Sequence, residues 1–469
     1  MSSAAPRIGV IPLVRATFDL GLAEEMRGKA WSALEATGYH VTGPRGLLVD
    51  TEGAMRAAQS LAGDDLDLLL FLQLTFTDAA MTVRLARAVG APMVLWAFPE
   101  PRTGGRLRLN SLCGINLAAH ALARTEIACR YLHAAPDDPA VAERLTSFVA
   151  GEGWPAVPEA RAVPDSDLGA AALASVRHTR IGLVGRHPDG FDTCRFDPAE
   201  LDDLLGITVD KLSQSELFER AGTLDAAEVA PVAARARSEL AGLGEVDASA
   251  ADKSLRLYAA LRDLAKERGL AGMAIRCWPE PFTEYGCAVC RPMGMLTEDG
   301  IPCACEADVY GTATNLLLQA LAGEPAWLVD LVDLDPVSDT GVLWHCGLAP
   351  CSMADPATPP RADVHSNRKL PLLAAFACKP GRVTLARLSQ ARNRAALVMA
   401  GGTVIEAPMS FAGTSGVIRF DLPVGELLDR IMGYGVEHHF GMAYGDYAEA
   451  LHAVAGHLGI PVVELTGRD

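Results

Sequence analysis

The run Leu66-Asp-Leu-Leu-Leu-Phe-Leu72, followed by Thr77-Asp-Ala-Ala-Met-Thr-Val-Arg-Leu-Ala-Arg-Ala-Val89 and Pro92-Met-Val-Leu-Trp96, decides the fold class. The outer pieces carry apolar side chains on both faces, as strands covered from both sides do, and the piece between them is helical. The pattern extends towards the N-terminus. Arg7–Leu13 reads as a strand, Leu20–Thr37 as an amphipathic helix stopped at Gly38, Tyr39–Val41 as a strand and Thr51–Ala62 as a helix. Strands alternating with helices predict a doubly wound parallel sheet. Towards the C-terminus, Pro99-Glu-Pro101 and Gly104-Gly105 mark a long loop after a strand, and Asn116–Arg124 resumes as helix.

A second unit follows the Pro-, Ala- and acid-rich segment Pro136–Asp167, which reads as a closing helix and linker. Arg180–Gly185 starts a new strand, helices occupy most of 200–268, and Ala271–Arg276 is a strand again. After about residue 335 the chain breaks into short extended runs (342–344, 383–388, 395–407, 416–422) separated by Gly, Pro and Asn, the signature of an antiparallel sheet or small barrel. Asp446–Leu458 is a helix and Ile460–Leu465 a strand. The expected architecture is α/β: an N-terminal domain over 1–170, a central domain over 171–340, both with doubly wound parallel sheets, and a β-rich, barrel-like domain over 341–469. No internal repeat or coiled-coil heptad is present.

Composition bounds the function. The 469 residues suggest two to four domains, and 50% hydrophobic with 21% charged residues suits substantial cores. A net charge of −17 with no basic stretch argues against a nucleic-acid surface. Met1-Ser-Ser-Ala-Ala-Pro-Arg7 has none of the parts of a secretory signal, and no run of about 18 apolar residues offers a membrane span, so a cytoplasmic protein is expected. Eleven cysteines, an odd number, fit reduced thiols there. Cys287-x-x-Cys290 and Cys303-x-Cys305 approach a zinc spacing, against a plainer reading in which Cys303 and Cys305 are small apolar strand residues.

The chemistry-bearing segments are P-F-T-E-Y-G at 281–286, E-A-D-V-Y-G at 306–311 and the pair His438–His439. Glu284, Asp308 and a late His would form a hard, oxygen-rich site suited to Mg²⁺ or Mn²⁺ rather than Zn²⁺. The second segment falls between a strand and a helix, where open α/β folds place ligands, and the plainer alternative is that Glu306 and Asp308 cap that helix. Arg106, Arg108 and Asn110 on the loop after the fourth strand are candidate substrate contacts, as are Gln73, His187, His365, Trp278 and Trp344. The glycines of 182–190 lack dinucleotide spacing, and Gly-x-Ser-x-Gly does not occur.

Taken in order, F-L-Q-L-T-F-T-D (71–78), P-E-P-R-T-G-G-R-L-R-L-N-S-L-C-G (99–114), G-L-V-G-R-H-P-D-G-F (182–191), E-A-D-V-Y-G (306–311), L-W-H-C-G (343–347) and H-H-F-G-M-A-Y-G (438–445) resemble the L-fucose isomerase and L-arabinose isomerase superfamily. The resemblance implies a Mn²⁺-dependent aldose–ketose isomerase, with Mg²⁺ or Co²⁺ as substitutes, assembled as a trimer or hexamer. It implies Glu284 and Asp308 as ligands and proton carriers and His439 as the late ligand. His345 resembles a further metal-site His of the arabinose branch. Such a reaction removes a weakly acidic proton next to a carbonyl and passes through an enediol, which a divalent ion and a carboxylate of raised pKa both serve. The same residues would serve a metal-dependent epimerase or aldolase, and a non-catalytic sugar-binding member of the fold is a further alternative. The sugar itself, whether plain, deoxy or sulfonated, is left open.

Overall fold

The computed structural model describes residues 5–164 and 167–467. Residues 1–4, part of the segment read for a leader, and two positions of the Pro136–Asp167 linker lie outside the described residues.

Three sheets organise the chain. The first contains β1 (Arg7–Leu13), β2 (His40–Thr42), β3 (Leu68–Gln73), β4 (Met93–Ala97) and β5 (Arg130–His133), all parallel in the order β2-β1-β3-β4-β5. The apolar run of β3 has its explanation in two packed faces. Leu68, Leu70 and Leu72 join one core with Ile8, Val10 and Trp96, whereas Leu69 and Phe71 join another with Ile11 and Leu95. Short β6 (Ala160–Arg161) falls in the expected linker and pairs with the far edge of the third sheet.

The second sheet contains β7 (Arg180–Val184), β8 (Thr208–Leu212), β9 (Gly272–Ile275) and β10 (Cys303–Ala304), parallel in the order β10-β9-β7-β8. The sequence reading passed over β8, a partly exposed edge strand whose Thr-Val-Asp-Lys-Leu lacks an apolar run. The third is a mixed sheet of β11 (Trp327–Asp335), β12 (Thr340–His345), β13 (Arg361–Asp363), β14 (Leu373–Ala377), β15 (Gly381–Ser389), β16 (Ala396–Val404), β17 (Thr414–Phe420), β18 (His439–Tyr444) and β19 (Val462–Glu464), with β6 at its edge. It begins at Trp327, inside the stretch expected to belong to the central unit. β16 pairs with both β15 and β17. The helix Val424–Tyr434 was not expected, although Val424, Leu427, Leu428, Ile431 and Met432 recur at helical spacing and are its buried residues.

The sheets position a site through two features. In the first sheet, successive strands are added on opposite sides of β1, so the order switches between β1 and β3, and their carboxyl ends deliver Arg15, Thr17 and Phe76 to one crevice. In the third, register aligns Trp344 on β12, Asp330 on β11 and His439 on β18 as direct neighbours across three antiparallel strands.

Candidate active site

A cavity lies where the carboxyl ends of the first two sheets face the third. Arg15, Phe18 and Phe76 come from the first sheet's loops, and Trp278, Cys305 and Glu306 from the second. Asp330, Trp344, His345, Arg368 and His438 come from the third.

Glu306 reaches the cavity through an unusual backbone. After β10 the chain makes a 3₁₀ turn in which Glu306 and Ala307 both take φ of 57°, and the helix Val309–Ala322 starts immediately afterwards. Non-glycine residues adopt this region at an energetic cost, and consecutive instances gather at functional turns. The Glu306 carboxylate accepts from Trp278 Nε1 at 3.1 Å and lies 3.3 Å from His438 Nε2 and 3.7 Å from His439 Nε2. Burial pushes its carboxyl pKa up, but the His438 hydrogen bond and the two imidazoles leave it lowered overall.

The two imidazoles stack with centroids 4.0 Å apart, and each is oriented through Nδ1. His438 Nδ1 meets Thr193 Oγ1 at 2.9 Å, and His439 Nδ1 meets Asp308 Oδ2 at 2.9 Å. Both Nε2 atoms are thereby directed at carboxylates, since His439 Nε2 is also 3.5 Å from Asp330 Oδ1. Burial and the neighbouring His438 lower the pKa of His439 against the pull of Asp308 and Asp330.

The donor set could hold a metal ion. Ligand atoms of Asp330, His438 and His439 lie within 4.8 Å of one another, as do those of Glu306, His439 and Cys194. Asp330 Oδ1 is buried without a hydrogen-bond partner among the described residues, an orphan that a cation would satisfy. The Asp308–His439 contact is the carboxylate–imidazole support that ion-binding histidines use.

Asp308 itself plays an internal part. Arg387 grips it through two contacts of 2.5 and 3.1 Å, and it caps the following helix by accepting from Gly311 N at 2.8 Å. Burial opposes ionisation, but Arg387 and His439 hold the carboxyl well below the usual carboxylate range. The helix-cap alternative thus describes part of what Asp308 does.

The structure brings Asp308 and His439 together, and Glu284 lies apart from them. It sits exposed on a five-residue π-helical turn, Pro281–Tyr285, outside the cavity lining, whereas Glu306 lines the cavity. Arg106 donates to Thr17 O and Asn367 Oδ1, and Arg108 to Asp19 Oδ2, so both hold loops and neither lines the cavity. Gln73 is fully buried against Gly114 and donates to Thr75 O and Thr77 Oγ1. His187 is also absent from the lining.

Asn110, Trp278, Trp344, His345 and His365 do line the cavity. His345 accepts from Cys346 N through Nδ1 and leaves a buried Nε2 unpartnered, with its ring 5.9 Å from that of His439. The four cysteines with near-zinc spacing do not converge. Cys290 faces Cys346, Cys305 faces Cys277, and Cys303 donates to Ile301 O. Asp330, Arg15 and Arg368 were missed. Only Asp330 carried a signal, an acidic residue inside the apolar strand Trp327-Leu-Val-Asp-Leu-Val.

Comparison with known proteins accords with this geometry. Residues 9–163 match the family described as fucose/sulfoquinovose isomerase, N-terminal domain, which gives the class: a sugar isomerase. The sulfoquinovose isomerase of Priestia aryabhattai is 30% identical over 442 residues, covering 94% of this chain and 95% of that protein. Those of Alkalicoccus urumqiensis (30%, 97% and 98% covered) and Clostridium sp. strain MSTE9 (31%, 96% and 97% covered) are similarly related. The chain belongs to the fucose isomerase-like family of aldose–ketose isomerases.

Proposed function

We propose that this protein is a divalent-metal-dependent aldose–ketose isomerase acting through an enediol on a sulfonated hexose, the substrate named for its relatives. The observation that carries the reading is the gathering of Glu306, Asp330 and His438 on the lining of one cavity, with His439 directly beside all three. Glu306, Asp330 and His439 would hold the ion. Mn²⁺ is our assignment, with Mg²⁺ or Co²⁺ as substitutes, and when bound it supplies electrostatic stabilisation to oxygens that gain charge.

The remaining work falls to side chains. Glu306, kept ionised by His438, is the base for the proton between the two exchanging carbons, and His438 Nε2 is placed to share that proton and return it. Trp278 fixes Glu306 through its indole N–H and presents an apolar face to the sugar. Trp344, anchored by Nε1 to Ala412 O at 3.0 Å, lines the cavity beside Asp330 and excludes water.

The wider reading is a cytoplasmic homo-oligomer, trimer or hexamer, working on a small sugar. Eleven unpaired cysteines support a reducing compartment, and no described helix is long and apolar enough to cross a membrane. The pairing of β16 with β17, in addition to its sheet neighbours β15 and β19, supports a barrel-like closure of the C-terminal unit.

The test is incubation of the Mn²⁺-loaded protein with sulfoquinovose in ²H₂O, followed by NMR. Ketose should appear, with deuterium at the exchanging carbon. Failure to produce ketose from any hexose with the ion demonstrably bound would defeat the proposal.

A further inference from the structure

One end of the cavity carries a charge pattern that the isomerisation chemistry does not use. Arg15 and Arg368 both line the cavity, with guanidinium carbons 5.1 and 5.0 Å from the ring of Trp278. The same indole donates to Glu306, so Trp278 touches both the proton-transfer carboxylate and the two cations. Phe76 and Phe191 continue this apolar floor, each beneath Arg15 and each in contact with His438.

The two arginines differ in their partners. Arg15 is ion-paired with Asp78, which offsets its charge. Arg368 is half-buried over Trp278 and Phe282, and no side-chain hydrogen bond or ion pair joins it to a described residue. The Arg15–Asp78–Arg368 group therefore presents one uncompensated positive charge to the cavity.

The arrangement is held in place from behind. Arg106 bridges the two arginine-bearing loops, donating to Thr17 O at 2.9 Å and to Asn367 Oδ1 at 2.7 Å. His365 Nδ1 accepts from the backbone N–H groups of Asn367 and Arg368, at 3.3 Å each, which fixes the turn that carries Arg368. A guanidinium packed on aromatic faces is pre-organised and keeps its N–H edge for an oxyanion.

We infer that Arg368, with Arg15 beside it, receives a monoanionic, non-reacting substituent at the end of the sugar remote from its carbonyl, and that this substituent is a carbon-bound sulfonate. This deepens, and rests on, the isomerase reading. A single surplus charge matches a sulfonate, which is a monoanion with three acceptor oxygens. A phosphate monoester carries between about −1.5 and −2 at neutral pH and would remain under-compensated. A neutral hydroxyl would leave Arg368 buried without a counter-charge whenever substrate fills the cavity.

The test compares kcat/KM of the full-length, Mn²⁺-loaded protein for sulfoquinovose, glucose 6-phosphate, glucuronate and glucose, in wild type and in Arg368→Met and Arg368→Lys. Wild type should prefer the sulfonated sugar. In Arg368→Met its kcat/KM should fall by about 10²-fold, mostly through KM, the loss expected for a charge-assisted hydrogen-bond donor. The ratio of sulfonated to neutral sugar should collapse towards one, and Arg368→Lys should restore part of it.

Ethanesulfonate should inhibit wild type competitively and Arg368→Met far more weakly. Thermal unfolding and Mn²⁺ binding of each variant establish that it is folded. A wild type with no preference for sulfonate, or a variant that loses activity on all sugars in equal proportion, overturns the inference. If wild type turns over no sugar at all, the isomerase reading fails separately. Calorimetry with sulfoquinovose then decides the subsite: binding lost in Arg368→Met sustains it, and binding unchanged overturns it.

Discussion

Arg387 lies wholly inside the molecule, and the carboxylate of Asp308 balances it there. Removing one partner of such a pair strands the other. Arg387→Met should therefore destabilise the protein by about 3–5 kcal/mol in denaturant unfolding. The double variant Arg387→Met/Asp308→Leu should recover part of that loss, and a double variant as unstable as the sum of two singles would contradict this account. Glu306 and Glu284 make a second contrast at this scale. Glu306→Gln should lower turnover by at least about 10²-fold with folding preserved, whereas Glu284→Gln, altering an exposed side chain on a turn, should stay close to wild type. Reversed results in a steady-state assay would return the catalytic role to Glu284.

At the scale of elements, the crossing of β18 over the helix Val309–Ala322 sets where the imidazoles sit. Gly441 allows the approach, since a Cβ there would lie 2.5 Å from Asn315 Oδ1 and 2.9 Å from Leu318 Cδ1. Gly441→Ala should push strand and helix apart, costing about 1–3 kcal/mol and weakening Mn²⁺ binding in calorimetry. Unaltered ion affinity would mean that the crossing does not position the histidines. Elements of this kind differ in how far the sequence declares them. The βα alternation of the first unit is legible because β3 and β4 are buried on both faces and read as unbroken apolar runs. The strand–turn–helix context of 303–322 is legible for the same reason. The choice of Glu306 over Glu284 is not, because it depends on two consecutive left-handed residues that re-aim a turn. Arg15 and Arg368 are illegible too, since a loop arginine over an aromatic ring has the same sequence appearance as one in solvent.

For the whole molecule, the site joins loops of all three sheets, so ligand binding is coupled to the packing of the sheets on one another. Mn²⁺ at 100 times its dissociation constant should add about 2.7 kcal/mol of stability and raise the unfolding temperature, and a chelator should reverse the gain. A midpoint independent of Mn²⁺ would refute a site in the native fold. Acid should act in two stages. Burial lowers the pKa of His120, so the unfolded chain takes up that proton first and stability falls as pH drops below about 6.5. Asp308 has a depressed folded pKa, so its contribution is present above the usual carboxylate range, near 4, and disappears as pH falls through the folded value. His120→Asn, which keeps a donor for Gly435 O, should diminish the first stage of a pH series of denaturant midpoints, to which His133, His187 and His439, lowered by burial in the same way, also contribute, and spare the second. An identical first stage in both proteins would exclude His120 as a contributor.

The late position of His438 and His439 in the chain has a consequence for biosynthesis. Polypeptides emerge N-terminus first and their domains generally fold in that order. Both parallel sheets are complete by Ala304, whereas the imidazoles that join Glu306 arrive only with β18. A nascent chain, or a product truncated before β18, would therefore contain two finished α/β sheets and Glu306 without its histidine partners. Capture of the proposed ion would then mark a chain whose translation has run nearly to completion, and manganese-dependent resistance to proteolysis should distinguish the finished chain from its shortened forms.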